Sequence, residues 1–201
     1  MKKIGHAGTL DPLASGLLIV GIGPATKQLQ GFVGLPKAYR AIVRLGSTST
    51  TDDQEGELKR ISSNKPTKRD VEIALDQFRG ELEQLPPAFS AVKVGGVKSY
   101  EAARRGKTLE LKKRKITVHK LRLDGYNYPD LSINCEVSSG TYIRSLARDI
   151  GTALGVGGYL AELRRTSIGI YLVSEAFELE EVTRENWTQK LFNGKQLEAG
   201  L

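Results

Sequence analysis

Apolar residues return at every second position in several segments of the chain, which predicts strands with one buried face. Between residues 39 and 45 the apolar positions alternate with Arg40 and Arg44. Between residues 131 and 137 the same period of two recurs, with Cys135 on the apolar face. The strands predicted in this way cover residues 39–45, 116–123, 131–137 and 168–173.

A period of about 3.6 residues predicts helices elsewhere. Thr67 and Asp70 have the spacing of a capping box, and apolar residues then recur at helical spacing across residues 71–82. A longer apolar stripe covers residues 143–154, and Arg144 would lie about 100° from the centre of that stripe. Further short helices are predicted at residues 99–105, at residues 160–164 and from about residue 183.

These elements follow one another without regular alternation and without an internal repeat. An α+β fold is therefore predicted, rather than a parallel α/β sheet or a repeat array. The polar stretch from residue 47 to residue 57 is interpreted as an exposed loop. No segment has the composition of a linker, so we predict one domain over residues 1–201.

Composition limits the class of protein. The 201 residues are 39% hydrophobic and 26% charged, as in ordinary globular proteins. The longest apolar run, residues 17–20, is too short to span a bilayer, and no export signal opens the chain. The single cysteine, Cys135, cannot form an internal disulfide and is expected to be a small buried hydrophobe. We therefore expect a cytoplasmic protein.

Positive charge is in excess and clustered. Lysine and arginine number 30 against 23 acids, which gives a formal net charge of +7. Such clusters attract a polyanion, because neutralised phosphates release counterions. Aromatic residues near some clusters favour stacking on unpaired bases over recognition of a duplex groove. The basic clusters lie at residues 2–3, 104–105, 112–115 and 164–165.

Several kinds of chemistry lack the residues they need. His6, His119 and Cys135 are too scattered to give the ligand spacing of a metal site, so none is predicted. The glycines at residues 21–24 lack the lysine and hydroxyl residue of a phosphate-binding P-loop. No Gly-x-Ser-x-Gly motif of a serine hydrolase is present.

Asp11 is the strongest candidate for a chemical role. It lies between an apolar residue and a proline, so it is either a turn residue or a reactive one. A glycosidase would need a second acid, and a distant one such as Asp149 remains open. A carboxylate beside an arginine keeps its charge even when it is desolvated, which favours a nucleophile or an electrostatic stabiliser. The other candidates for the same site are Lys27, Arg144, Tyr39 and Tyr142.

Six ordered segments closely resemble the bacterial tRNA pseudouridine-55 synthases, the TruB family. Together they extend from residue 3 to about residue 185. The segments are GHAGTLDPLASGLL (5–18), GPATK (23–27), KAYRA (37–41), PPAFSAVK (86–93), GTYIRSLARDIG (140–151) and LRRTSIG (163–169).

The resemblance implies a pseudouridine synthase fold, with a mixed, mostly antiparallel central sheet flanked by helices and loops. It implies an isomerase that works without a cofactor. Such an enzyme flips uridine 55 out of the T-loop of tRNA, breaks its glycosidic bond and rejoins the base to the ribose through carbon. The implied partner is the T-arm stem-loop of tRNA, with no membrane partner, and we expect the protein to act as a monomer.

The resemblance also implies residue roles. Asp11 matches the catalytic aspartate, and Arg144 matches the arginine that pairs with it. Tyr39 matches the tyrosine that stacks on the target base and is implicated in proton removal. His6 matches the histidine that enters the T-loop as the uridine leaves, and such a ring can offset part of the cost of flipping. The remaining pocket residues implied by the resemblance are Tyr142, Leu163 and Lys27.

Two departures from the family pattern lead to further expectations. Family members usually carry about three dozen residues before the Asp11 segment and a small RNA-binding PUA domain at the carboxyl end, and we expect neither in this chain. One rival hypothesis is therefore a non-catalytic module that binds or folds tRNA and has lost turnover with its amino terminus. Another is the same chemistry on a different RNA.

Overall fold

The computed structural model describes residues 3–90, 92–106 and 109–191. All seven predicted site residues lie in these ranges, whereas Lys2 of the first basic cluster lies outside them. The strands are β1 (Ile4–His6), β2 (Ala14–Gly16), β3 (Val20–Ile22), β4 (Lys37–Leu45), β5 (Ser47–Ser49), β6 (Leu58–Arg60), β7 (Gly80–Gln84), β8 (Lys93–Val94), β9 (Val97–Lys98), β10 (Arg114–Asn127), β11 (Asp130–Val137), β12 (Gly158–Ile168) and β13 (Tyr171–Leu172).

The helices are α1 (Leu29–Gly34), α2 (Lys68–Asp76), α3 (Ser99–Arg104) and α4 (Ile143–Ala153). Short 3₁₀ turns cover Gly23–Lys27, Val173–Glu175 and Leu179–Glu181. The capping box predicted at Thr67 is present: its hydroxyl accepts from the Asp70 amide, and the Asp70 carboxylate accepts from the Thr67 amide.

A seven-stranded sheet forms the centre of the described fold, in the order β13-β12-β4-β11-β10-β7. All pairings along this path are antiparallel, and β2 joins the side of β12 as a parallel strand. The predicted α+β class with a mixed, mostly antiparallel sheet is confirmed. β4 and β12 are neighbours in this sheet, and both carry residues of the site.

The hydrophobic core lies between this sheet and the helices α2 and α4. The alternation predicted for β4 and β11 is confirmed, because Ala41, Val43 and Leu45 are buried on one strand and Cys135 is buried on the next. Burial raises the pKa of the Cys135 thiol to about 12, so this cysteine is the inert core residue that the sequence predicts.

Three helix predictions are wrong in whole or in part. Residues 160–164 belong to strand β12, because a short apolar run does not by itself distinguish a buried strand from a helix. The helix predicted over 71–82 ends at Asp76, and Gly80 with a φ of 86° starts strand β7 instead. Residues 184–190 form hydrogen-bonded turns without a helix, and the predicted helix beyond residue 191 lies outside the described residues. Within the described ranges, no helix has the length and apolar character needed to cross a membrane.

Candidate active site

A cavity of about 580 Å³ opens at the loop that carries Asp11. Its walls come from that loop, from β4, from the segments around Thr51 and Phe89, from the turn before α4, and from β12. Four of the seven predicted site residues line it: Asp11, Tyr39, Tyr142 and Arg144. The structure thus brings together residues that are up to 133 positions apart in the chain.

Asp11 begins a tight turn and also faces the cavity. Its carbonyl accepts a hydrogen bond from the Ala14 amide at 2.8 Å, with proline in the second turn position. The turn leads into β2, which lies so close to β12 that a Cβ at Gly16 would overlap the Arg165 carbonyl. Gly16 also has a φ of 100°, a backbone conformation that favours glycine. The two sequence interpretations of Asp11, a turn residue and a reactive one, are therefore compatible.

Arg144 holds the Asp11 carboxylate with two hydrogen bonds. Nε lies 2.9 Å from one carboxylate oxygen and Nη2 lies 3.2 Å from the other. The same guanidinium also donates to the carbonyls of Thr51 and Phe89, at 3.2 and 3.1 Å. Bidentate pairing of this kind fixes the orientation of a carboxylate as well as its charge.

The sequence predicts that Arg144 lies away from the buried face of its helix, but Arg144 is buried. Only 7% of Arg144 is exposed, because segments from outside the helix cover it. A buried guanidinium needs partners for its charge and its donors, and Asp53 is one of them. The Asp53 carboxylate lies 3.4 Å from Nη1 of Arg144.

Asp53 is a site residue that the sequence analysis missed. It lies in the stretch interpreted as an exposed loop, but only 2% of it is exposed. The Thr51 hydroxyl donates to its carboxylate at 2.5 Å and the Glu55 amide donates at 3.0 Å. One signal in the sequence is the spacing of Arg144 and Arg148, four residues apart on a helix. Like charges at this spacing repel each other, so acids from another segment would stabilise them.

Asp52 supplies the second of these acids. Its carboxylate pairs with Arg148 at 2.8 Å, and its carbonyl accepts from the Leu160 amide at 2.9 Å. Asp52 has a φ of 62°, which is uncommon for a residue other than glycine. Burial raises the pKa of its carboxyl, and the charge of Arg148 opposes that effect. Asp52 and Asp53 therefore tie this loop to α4 at two consecutive turns of the helix.

Tyr142 precedes α4 and is held through its backbone. The buried Gln84 side chain accepts from the Tyr142 amide at 2.8 Å and donates to the Tyr142 carbonyl at 3.0 Å. These two bonds fix the start of the helix, where no side chain caps the free amides. Gln84 thus places both Tyr142 and the next residue, which begins α4.

Tyr39 lies on β4 and lines the cavity. Burial raises the pKa of its phenol, and the charge of the nearby Arg165 opposes that rise. Arg165 is the register partner of Tyr39 on β12 and is 1% exposed. The phenol is therefore neutral at physiological pH, with an apolar ring that suits stacking on a base.

His6, Lys27 and Leu163 are not among the described residues that line the cavity. His6 lies on β1 and Lys27 ends a 3₁₀ turn, and both are exposed. Leu163 lies on β12 in the hydrophobic core, in register with Ala14 and Ala41. The substrate-binding roles that the family resemblance implies for these three residues stay predictions.

Three acids line the cavity, Asp11, Asp53 and Glu55, and Arg144 holds the Asp11 carboxylate in a fixed orientation. Asp11 has a third of its side chain exposed, whereas Asp53 is covered. No group of three or more histidines, cysteines and acids in the described ranges could hold a metal ion. An ionised carboxylate here can act as a nucleophile or stabilise positive charge on a sugar.

Two sequence profiles match the chain. The profile described as "TruB family pseudouridylate synthase (N terminal domain)" matches residues 1–143. The profile described as "tRNA pseudouridylate synthase B C-terminal domain" matches residues 144–201.

Curated relatives named "tRNA pseudouridine synthase B" include those of Paenarthrobacter aurescens, 44% identical over 92% of this chain, and Thermobifida fusca, 46% identical over 92%. The chain covers 61% and 66% of those two proteins. It therefore spans somewhat less than two thirds of their length.

Solved structures with the same fold include one titled "Crystal Structure of a Cbf5-Nop10-Gar1 Complex". The TM-score is 0.71, with 28% identity, over 96% of this chain and 49% of that one. A second, titled "Structure of H/ACA RNP bound to a substrate RNA containing 2'-deoxyuridine", has a TM-score of 0.67 and 25% identity, over 95% of this chain and 47% of that one.

Proposed function

Because the chain belongs to the TruB family of pseudouridylate synthases, we propose that it converts a uridine of RNA to pseudouridine, with uridine 55 in the T-loop of tRNA as its substrate. The observation that carries this proposal is the Asp11 carboxylate, exposed to a cavity and held by two hydrogen bonds from Arg144. The fold of the chain and the net charge of +7 suit an RNA substrate.

The reaction breaks the bond between N1 of uracil and C1′ of ribose and forms a bond from C5 to C1′. N1 ends with a proton and C5 loses one, so substrate and product have the same atoms and no electrons leave or enter. Asp11 acts as the ionised form, either by bonding covalently to the substrate or by stabilising positive charge at C1′. Arg144 orients this carboxylate through its paired donors.

The other site residues take the roles that the family resemblance implies. Tyr39 stacks on the flipped base, which by analogy with other aromatic platforms contributes about 1 to 3 kcal/mol. It is also a candidate for removal of the C5 proton. Tyr142 forms a further part of the pocket wall. Leu163 supports an apolar wall that excludes water, which would otherwise capture the detached sugar.

His6 and Lys27 act outside the cavity. His6 is exposed on β1, where it can fill the position that the flipped uridine leaves in the RNA stack. Lys27 is an exposed cation that can contact the RNA backbone near the site. We propose that residues 1–201 act as one catalytic domain in the cytoplasm, as a monomer and without a cofactor.

Mapping of modified positions tests the proposed substrate. Unmodified tRNA transcript is incubated with the protein, treated with a carbodiimide that marks pseudouridine, and read by primer extension. The proposal predicts a single stop caused by position 55. No stop at any position would contradict the activity and favour the non-catalytic rival, whereas stops at other uridines alone would contradict the substrate.

A further inference from the structure

Two groups of charged residues line the cavity. Asp11 and Asp53 both pair with Arg144, and Glu55 also lines the cavity. Lys37 and Arg165 form the other group and lie beside Gly8. The proposed reaction assigns no role to these two cations.

Lys37 is a buried cation, with 7% of its surface exposed. Its ammonium donates to the carbonyls of Val33 and Leu35 at 2.9 and 2.6 Å. An ammonium has three donors, so one remains for another partner. Among the described residues no carboxylate lies within ion-pair distance of Lys37.

Arg165 is buried beside it, with 1% of its surface exposed. Its Nε donates to the Leu17 carbonyl at 2.7 Å and Nη2 donates to the Gly8 carbonyl at 3.2 Å. These bonds use two of the five donors of a guanidinium. As with Lys37, the described part of the chain provides no carboxylate partner for this charge.

The two cations converge on Gly8. A Cβ placed on Gly8 would lie 3.6 Å from Nη1 of Arg165 and 3.8 Å from Cε of Lys37. Burial lowers the pKa of Lys37, and the like charge of Arg165 lowers it further, which agrees with their close approach. Two buried like charges without an acid are costly, and a bound anion would relieve that cost.

We propose that Lys37 and Arg165 form an anion subsite for a nonbridging phosphate oxygen of the linkage that flanks the flipped nucleotide. This inference rests on the proposed function. A phosphate is favoured over the base as occupant because the neutral nucleoside belongs beside Asp11, and a phosphate there would be repelled by two carboxylates. The Gly8 wall has no side chain, so an RNA backbone can approach the two cations closely.

Neutral linkages test the subsite. T-arm RNAs are made with one methylphosphonate on the 5′ or the 3′ side of the target uridine, which removes one negative charge. Each has a 2′-deoxy sugar before the altered linkage, and its reference RNA has the same sugar with an ordinary phosphate. The wild type is expected to lose roughly ten- to a hundredfold in kcat/KM at one of these two linkages, the range of a charge-assisted hydrogen bond.

The decisive comparison is with Lys37→Met, which removes the ammonium group and keeps a side chain of similar length. In this variant the same methylphosphonate is expected to lower kcat/KM by less than about twofold, because the linkage has already lost its cationic partner. Lys37→Arg is expected to regain most of the sensitivity to the linkage. Arg40→Gln removes one positive charge from the opposite face of β4, and is expected to stay as sensitive to the linkage as the wild type.

Equal penalties in the wild type and in Lys37→Met, or no penalty in the wild type, would overturn the subsite. RNA affinity is measured for the same set of RNAs, so the inference stays testable in a chain that forms no pseudouridine. In that case the proposed function fails, while a linkage-specific loss of affinity that depends on Lys37 still supports the subsite. The absence of such a loss refutes it.

Discussion

Arg144 donates two hydrogen bonds to the Asp11 carboxylate, through Nε and Nη2, while its Nη1 lies 3.4 Å from a carboxylate oxygen of Asp53. One guanidinium thus joins an acid that is exposed to the cavity and an acid that is buried behind it. Because Asp53 is fixed by Thr51 and by a backbone amide, it holds the arginine in place from the protein side. The orientation of Asp11 therefore depends on Asp53 and Thr51 as well as on Arg144.

Replacement of Arg144 by lysine tests the paired geometry. A lysine keeps the charge but cannot donate to both carboxylate oxygens and to Asp53 at once. We expect the rate of tritium release from C5-labelled uridine in T-arm RNA to fall by at least about a hundredfold, because misplacement of a reacting group by about 1 Å has effects of that size. Arg122→Lys, at an exposed position on β10, is the matched control. A loss of less than about threefold in Arg144→Lys would contradict the geometry.

Removal of the Arg144 charge also tests the buried pair. Arg144→Met leaves Asp53 buried without its counter-charge, and we expect a loss of about 3 to 5 kcal/mol in the free energy of unfolding. Adding Asp53→Asn should restore part of this loss, because the uncompensated charge is then gone. Urea denaturation of both single variants and the double variant gives the coupling. Strictly additive losses would show that the two residues do not act as a pair.

Gln84 is expected to support the start of α4. Gln84→Leu leaves the amide and the carbonyl of Tyr142 without their side-chain partner. Each buried group left unpaired costs about 1 to 3 kcal/mol, so the free energy of unfolding should fall by at least that amount. The exposed Gln77→Leu, at the end of α2, should change stability by less than about 0.5 kcal/mol. Equal unfolding curves for the two variants would contradict this role.

Stability should depend on pH through Asp52. Burial raises the pKa of this carboxyl above its usual value of 3.8, so the folded chain keeps the proton at a pH where the unfolded chain has lost it. The contribution of Asp52 to stability therefore falls as the pH rises through that interval. Relative to Asp52→Asn, the wild type should become more stable as the pH is lowered from 7 towards 4.

Paired denaturation curves at each pH measure this difference. The exposed Asp124→Asn removes the same charge from strand β10 and serves as the control. A wild type that loses stability relative to Asp52→Asn on acidification would contradict the prediction. That outcome would mean that the pairing with Arg148 outweighs the effect of burial on the carboxyl.

The strands at the centre of the sheet could be predicted because each has one buried face. Ala41 and Val43 alternate with arginines on β4, and this period of two determines a strand directly. Strand β12 could not be predicted in the same way. Its first residues, Gly158–Ala161, are all buried, and contacts with β4 and α4 decide its conformation. Local periodicity carries no information on such contacts.

The site residues that lie in recognisable sequence motifs could be predicted, whereas those whose role depends on tertiary contacts could not. Asp11 and Arg144 lie in segments that resemble a known family, and the structure places them in contact. Asp53 lies in a polar stretch typical of an exposed loop, but it is buried where its carboxylate pairs with Arg144. Lys37 and Arg165 likewise could not be paired from sequence, because the pairing of β4 with β12 brings them together.

Asp11→Asn tests whether the Asp11 carboxylate carries out the proposed reaction. The amide keeps the shape of the carboxylate but loses its charge and its nucleophilicity, while the RNA-binding surface is unchanged. Tritium release from C5-labelled uridine is measured in a single turnover, with RNA affinity determined for the same preparations. We expect release by the wild type and release at least about 10⁴-fold slower by Asp11→Asn, in line with the loss of other catalytic nucleophiles. We expect equal RNA affinities for the two proteins. Undiminished release by Asp11→Asn, or none by the wild type, would contradict this role of Asp11.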